Sequence, residues 1–135
     1  MQRTVRDSQY SVSIEALDTQ HEKIIEILDR LVTTVGPKGA ENSILSSLEE
    51  VLRTIKGHFE YEETLMKKNG YPSFILHKNM HDAFLRQFSN QLKKWKTVTE
   101  PPSTQDIAFL KRWFIDHIIG ADKLYTPFLN QRGIS

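Results

Sequence analysis

Apolar side chains recur along most of the chain at alternating steps of three and four residues. This spacing places them on one face of an α-helix, because the helix completes a turn about every 3.6 residues. The pattern begins at Ile14 and forms four segments, separated at Gly36-Pro37, at Asn69-Gly70 and at Pro101-Pro102. No segment shows a sustained alternation with a period of two, so no β-sheet is predicted.

Four amphipathic helices with short connections predict an all-α fold, namely an up-down-up-down antiparallel four-helix bundle. The first helix is expected to start near Ile14 and the second near Ala40. The third is expected to follow Pro72, and the fourth to contain the stripe from Ile107 to Phe128.

The length and composition indicate one globular domain. We expect a single domain over residues 1–135, with a polar N-terminal arm over residues 1–13 and the helix bundle over residues 14–131. The 18 basic and 17 acidic residues leave a net charge of +1, which disfavours nucleic acid and an anionic membrane as partners. The N-terminus lacks the apolar run of a secretory signal, and no stretch is long and apolar enough to span a membrane, so a cytoplasmic location is expected.

The histidines are the first candidates for chemistry. The chain has no cysteine, which excludes thiolate metal ligands and cysteine nucleophiles. A single histidine on an apolar face is usually a core residue, but here all five histidines lie on the inward stripes, and histidine is mostly found at intermediate burial. Buried imidazoles without partners would cost roughly 1–3 kcal/mol each, whereas a metal ion uses their nitrogens as ligands. The five are His21 on the first helix, His58 on the second, His77 and His81 on the third, and His117 on the fourth.

Two pairs of donors share a helix face within the segment from Ile55 to Phe88. His58 and Glu62 are four residues apart, as are His77 and His81. Positions with this spacing are neighbours on a helix surface. The short turn between the two helices requires them to be antiparallel, so the two pairs are expected to face each other. The sequence therefore predicts a metal site inside the bundle.

Asp122 is a seventh candidate ligand in an irregular position. It follows His117 by five residues, about 140° around an ideal helix, which is too far for the two to share a face. Gly120 lies between them and permits a local break or bulge that turns the carboxylate inward.

These residues resemble the motifs of hemerythrins, above all the single-domain bacterial hemerythrins. The similar segments are His21, His58-Phe-Glu-Tyr-Glu62, Gly70-Tyr-Pro followed by His77 and His81, and Trp113-Phe-Ile-Asp-His117 followed by Asp122 and Tyr125. The resemblance implies two non-heme iron ions. It assigns His77, His81 and His117 to one iron, His21 and His58 to the other, and Glu62, Asp122 and an oxo or hydroxo oxygen to bridging positions.

The resemblance also implies a function. One coordination position remains open on the iron with two histidines, and there the family binds dioxygen reversibly, for storage, delivery or scavenging and without enzymatic activity. Ile24, Phe59, Trp113 and Phe114 are expected to form the walls of the oxygen pocket, which must exclude water. Hemerythrins usually have leucine at the position of Phe114.

Two other functions compete with oxygen binding. One is an oxygen or redox sensor that signals to a partner, although the 135 residues contain no signalling domain and identify no protein partner. The other is a di-iron enzyme acting on peroxide, nitric oxide or nitrite. Oxygen-activating bundle enzymes favour Glu-x-x-His ligands, which do not occur in this chain. A zinc protease is excluded because the chain lacks His-Glu-x-x-His.

Overall fold

The computed structural model describes residues 11–34, 41–97 and 102–135, and these residues form helices without a strand. The helices are α1 (Glu15–Thr34), α2 (Glu41–Lys68), α3 (Phe74–Thr97), α4 (Thr104–His117) and α5 (Lys123–Gln131), and a π-helical turn, Ile118–Asp122, joins the last two. Because α4, the π-helical turn and α5 follow one another without a break, together they form the fourth long element. The predicted all-α fold with four antiparallel helices is confirmed.

The apolar stripes form the core that holds the helices together. Helix α1 packs against α2 and α4, and α2 also packs against α3. Leu28, Leu48, Ile55 and Ile107 are among the fully buried side chains, and each contributes roughly 1.5–3 kcal/mol by leaving water. Within the described residues, no helix has the length and hydropathy that crossing a lipid bilayer requires.

The connection between α2 and α3 is a tight helix stop. Gly70 has a φ of 73°, in the left-handed region that glycine adopts without strain. The N–H of Tyr71 donates to the carbonyl of Met66 at 2.9 Å, and the N–H of Gly70 donates to the carbonyl of Lys67 at 3.2 Å. These two bonds form a Schellman motif that ends α2, so α3 returns alongside it. The other two predicted breaks, at residues 36–37 and at Pro101, lie outside the described residues.

The described part of the predicted N-terminal arm, residues 11–13, lies on the bundle. Val12 is buried, and its N–H donates to the Asp18 carboxylate at 2.9 Å. Its carbonyl accepts a hydrogen bond of 2.7 Å from the hydroxyl of Thr126 on α5. These contacts fasten the start of α1 to the end of the fourth element. Residues 1–10 lie outside the described residues, and the division into an arm and a bundle stays a prediction.

Candidate metal centre

The seven candidate ligands all converge in one buried region between the helices. Although they are polar or charged, none is more than 6% exposed. Polar side chains are rarely this buried without a partner, so the region is the natural candidate for a functional site. They are His21 on α1, His58 and Glu62 on α2, His77 and His81 on α3, His117 at the end of α4, and Asp122 at the end of the π-helical turn.

The π-helical turn brings Asp122 next to His117. In such a turn the backbone bonds join residues five positions apart, so the fifth residue returns to the same side of the helix. Oδ1 of Asp122 lies 3.1 Å from Nε2 of His117. The predicted local irregularity around Gly120 is confirmed. A Cβ at Gly120 would meet no atom within 4 Å, so lack of space does not require glycine there.

Three histidines form one half of the centre. Nε2 of His117 lies 3.1 Å from Nε2 of His81 and 3.2 Å from Nε2 of His77. Two carboxylate oxygens complete this three-histidine group. Oδ1 of Asp122 is 2.9 Å from Nε2 of His77, and Oε1 of Glu62 is 3.2 Å from Nε2 of His81.

Two histidines form the other half. Nε2 of His21 lies 3.2 Å from Oδ2 of Asp122 and 3.3 Å from Oε2 of Glu62. Nε2 of His58 lies 3.4 Å from the same Glu62 oxygen. The rings of His21 and His58 meet edge to face, with their centroids 4.6 Å apart. This two-histidine group has one nitrogen donor fewer than the three-histidine group.

Both carboxylates are shared between the two groups. Glu62 directs Oε1 toward the three-histidine group and Oε2 toward the two-histidine group, and Asp122 divides Oδ1 and Oδ2 in the same way. The donor atoms of each group lie within 4.8 Å of one another. Each carboxylate therefore contributes one oxygen to each of two adjacent groups of potential metal ligands.

The donor atoms are better placed to coordinate metal ions than to form hydrogen bonds with one another. Among the described residues, Nε2 of His58, Oε1 of Glu62 and both carboxylate oxygens of Asp122 are buried without a hydrogen-bond partner. An unpaired buried polar group costs roughly 1–3 kcal/mol. Ligands about 2.1 Å from a metal ion at right angles lie about 3 Å apart, close to the separations of 2.9–3.4 Å found here. Nitrogen and carboxylate donors without thiolate suit iron, among other transition metals.

In the metal-free centre, protonated imidazoles balance the negative charges of the two carboxylates. Burial acts to lower the pKa of His21, but its contacts with Asp122 and Glu62 outweigh burial and raise the pKa to about 9. The pKa of His77 is raised to about 9 by the same balance. Burial acts to raise the pKa of Glu62, but His58 and the other neighbouring imidazoles lower it well below its usual value. Metal ions that bind here must displace protons from imidazoles.

Two candidate ligands are oriented by side chains next to another ligand in the sequence. Nδ1 of His58 lies 2.6 Å from the amide oxygen of Gln20, and Nδ1 of His81 lies 2.8 Å from a carboxylate oxygen of Glu63. An oxygen acceptor holds the proton on Nδ1, which leaves the Nε2 lone pair directed at the centre. Sequence reasoning did not find Gln20 or Glu63 as functional residues, because a polar residue adjacent to a candidate ligand carries no distinct signal.

A buried tyrosine supports the bridging carboxylate. The hydroxyl of Tyr125 donates to Oε2 of Glu62 at 2.6 Å, and the side chain is fully buried. Burial and the nearby Asp122 and Glu62 carboxylates raise the pKa of Tyr125 well above its usual value, so its proton stays in place. Tyr125 carries part of the sequence resemblance but was not predicted to have a role. The sequence signal for such a role was its position three residues after Asp122, which places both side chains on the same side of a helix.

Two of the predicted pocket residues pack against the three-histidine group. The ring of Phe59 stacks on His81, with centroids 3.7 Å apart and planes 1° from parallel. The indole of Trp113 stacks on His117, with centroids 4.9 Å apart at 8°. Trp113 is only partly buried, so its ring lies between the centre and the outer surface.

Phe114 packs against the two-histidine group. Its ring meets His21 and His58 edge to face at centroid distances of 5.7 and 5.9 Å, and it is fully buried. Phe59 also reaches this group, with its centroid 5.9 Å from that of His58. Ile24 is buried in the core one turn after His21. Of the three predicted aromatic walls, Trp113 therefore contacts the three-histidine group, Phe114 the two-histidine group and Phe59 both.

The chain is similar to known proteins over most of its length. Residues 12–129 match the hemerythrin HHE cation binding domain family. The chain is 28% identical to the bacteriohemerythrin of Methylococcus capsulatus over 123 residues, which cover 91% of this chain and 93% of that protein. It is 31% identical to a hemerythrin-like protein of Naegleria gruberi over 123 residues, covering 91% of each.

Solved structures agree with the fold. The crystal structure of a wild-type hemerythrin superposes on this chain with a TM-score of 0.83 and 27% identity, and the match covers 96% of both chains. A point variant of hemerythrin has the same TM-score and 28% identity, covering 96% of this chain and 95% of the other. The similarity thus extends over nearly the whole chain, and the matched residues 12–129 contain the positions of all seven candidate ligands.

Proposed function

The chain belongs to the hemerythrin HHE cation-binding family, and from this premise we propose that it binds dioxygen reversibly at two non-heme iron ions. His77, His81 and His117 would hold one iron, and His21 and His58 the other. Glu62 and Asp122 would bridge the two, together with an oxo or hydroxo oxygen. When bound, the two irons would supply the electrons that hold dioxygen.

The main support for this proposal is that each of the two carboxylates directs one oxygen toward each histidine group. A single-metal site would need only one oxygen from each acid, and the second oxygen would not have to lie near a second group of histidines. Instead, each oxygen of Glu62 and Asp122 lies within 2.9–3.3 Å of a histidine nitrogen in its own group. This division supports two metal ions side by side.

The unequal histidine count supports binding of dioxygen on one side only. The three-histidine group offers five protein donors, and the two-histidine group offers four. For six-coordinate ions that share a bridging oxygen, the open position lies beside His21 and His58. There the phenyl ring of Phe114 excludes water and offers no proton. A dry wall without an acid favours carriage of dioxygen over its reduction.

The surrounding polar side chains hold the ligands in place. Gln20 and Glu63 keep the imidazoles of His58 and His81 in the tautomer that presents Nε2. Tyr125 keeps Oε2 of Glu62 directed at the two-histidine group. These contacts support a rigid centre whose ligands do not exchange, which suits reversible binding. We therefore propose that the protein is a dioxygen-binding protein and not an enzyme.

Metal analysis tests the number of ions. Protein produced with ample iron and purified should contain close to two irons per chain, because each histidine group provides one position. A value near one, or zinc in both positions under these conditions, would contradict the proposal. Loading conditions must be controlled, because affinity alone favours copper and zinc over ferrous iron.

The oxygen reaction tests the function. The visible spectrum of the anaerobically reduced protein should change on exposure to air and return to the starting spectrum when oxygen is removed. Repeated cycles should preserve most of the signal. Irreversible oxidation in the first cycle would refute reversible binding. Sustained consumption of oxygen or peroxide with an added electron donor would instead favour an enzyme.

A further inference from the structure

A groove runs along the outside of the bundle between α3 and α4. Its volume is about 510 Å³, and it is lined by apolar and aromatic side chains from both helices together with a few polar ones. Phe109 on α4 is 65% exposed at this groove. Small-molecule sites typically have volumes of roughly 300–1,000 Å³, with apolar walls and a few polar groups. The groove therefore has the size and lining of a binding site for a small aromatic molecule.

The groove leads to the metal centre at one point. Of the seven candidate ligands, His117 is the most exposed, at 6%, and it is the one that lines the groove. Trp113 lies beside it in the lining and stacks on the His117 ring. Phe84 stacks on Trp113 in turn, with centroids 3.9 Å apart at 16°. A molecule in the groove would contact an aromatic side chain that is itself in contact with a candidate ligand.

This contact suits the passage of electrons rather than of ligands. His117 belongs to the three-histidine group, which has five protein donors and no room for an incoming ligand beside the shared oxygen. An electron needs no coordination position, and it can cross a few stacked rings. An iron centre that carries dioxygen oxidises from time to time and then requires electrons from a donor. The need for an electron donor at the groove therefore rests on the proposed function.

We propose that the groove binds reduced flavin mononucleotide, and that Trp113 and His117 conduct its electrons to the metal centre. A nicotinamide donates hydride and must touch the accepting atom, whereas a flavin also gives up single electrons through an intervening ring. Phe109 provides an exposed ring on which the flavin ring system can stack. Arg112 is exposed at the groove and provides a cation for the phosphate, and Asp116 provides an acceptor for the flavin ring N–H.

The electrons and protons balance in this step. The reduced flavin anion loses two electrons one at a time and releases one proton to solvent, which leaves oxidised flavin. The two electrons convert two ferric ions to two ferrous ions. No oxygen atom and no bond to the metal is required at the groove.

Equilibrium dialysis of oxidised flavin mononucleotide against the purified full-length protein tests binding without any electron transfer. Phe109→Ser should weaken binding about tenfold, because it removes the stacking ring. Ile75→Ser is the matched control, because Ile75 is 63% exposed and is not part of the groove lining. Arg112→Gln should weaken binding of flavin mononucleotide but not of riboflavin, which lacks the phosphate. Absence of binding to the unaltered protein, or equal losses for Phe109→Ser and Ile75→Ser, would overturn the proposal.

Stopped-flow reduction of the diferric protein tests the route. Trp113→Leu should slow reduction by reduced flavin mononucleotide about tenfold or more, and Trp113→Phe should restore most of the rate because it retains a stacked ring. Reduction by dithionite, a small anion that does not require the groove, should change little in Phe109→Ser. If dithionite reduction falls as much as flavin reduction in that variant, the groove is not the entry point. Flavin binding does not require reversible oxygen binding, so this proposal and the proposed function fail in separate experiments.

Discussion

Replacing Phe114 by alanine should open the two-histidine side of the centre to water and small anions. The ring is fully buried and lies edge to face against both His21 and His58. No other predicted wall residue is in ring contact with both of these histidines among the described contacts. Its removal therefore leaves a cavity at the position where we propose that dioxygen binds.

The size of the effect on stability follows from this burial. Truncation of a fully buried phenylalanine costs roughly 3–5 kcal/mol, less if water enters the cavity. For a chain of this length, the loss corresponds to a melting temperature lower by about 10–20 °C. Phe114→Leu retains most of the side-chain volume and should cost less than about 1.5 kcal/mol.

Stopped-flow spectroscopy separates access to the centre from stability. Diferrous protein is mixed with air, and the decay of the oxygenated spectrum is followed with and without azide. Phe114→Ala should decay faster and bind azide faster, with Phe114→Leu between the two. Phe88→Ala is the control, because Phe88 is also buried but packs on Phe84 at a centroid distance of 5.8 Å, away from the two-histidine group. Equal acceleration in Phe114→Ala and Phe88→Ala, or no acceleration in either, would refute a guarding role for Phe114.

Three further predictions concern the bridging carboxylate and the charges around it. Glu62→Ala should lose most of its metal, because it removes a donor from both positions. Glu60→Ala should retain the metal, because Glu60 is exposed. Equal metal contents in the two variants would contradict the ligand assignment. Tyr125→Phe keeps the ring but removes the 2.6 Å hydrogen bond to Glu62, so urea denaturation of the metal-free protein should show a loss of roughly 1.5–3 kcal/mol. An unchanged midpoint would mean that this bond contributes nothing. In the metal-free protein, the pKa values of His21 and His77 are raised to about 9, so their contribution to stability is full below about pH 6.5 and is lost as the pH rises to about 9. Thermal melts of the metal-free protein should therefore show a melting temperature that falls across this pH range. Bound metal should suppress this fall. A melting temperature independent of pH in the metal-free protein would contradict the charge balance.

The four helices and their inward faces follow from the sequence alone, because helical periodicity is a local property. Steps of three and four residues place His58 with Glu62, and His77 with His81, on one side of a helix whatever the rest of the chain does. The stop at Gly70 is also local, because it depends on a left-handed residue followed by two backbone bonds. These signals were sufficient to predict the bundle and six of the seven candidate ligands, all except Asp122.

The tertiary structure decided which atoms meet, because contacts between helices depend on how the whole core packs. Periodicity does not indicate that each carboxylate divides its oxygens between the two histidine groups, or that Trp113 and Phe114 lie on opposite halves of the centre. It also does not pair Glu63 with His81, or Tyr125 with Glu62, across 18 and 63 residues of chain. Asp122 is the clearest example of a residue whose position the sequence alone did not determine. The sequence placed it about 140° away from the ligand face of an ideal helix, and only a π-helical turn, in which Ile118 and Ala121 are buried, brought it back.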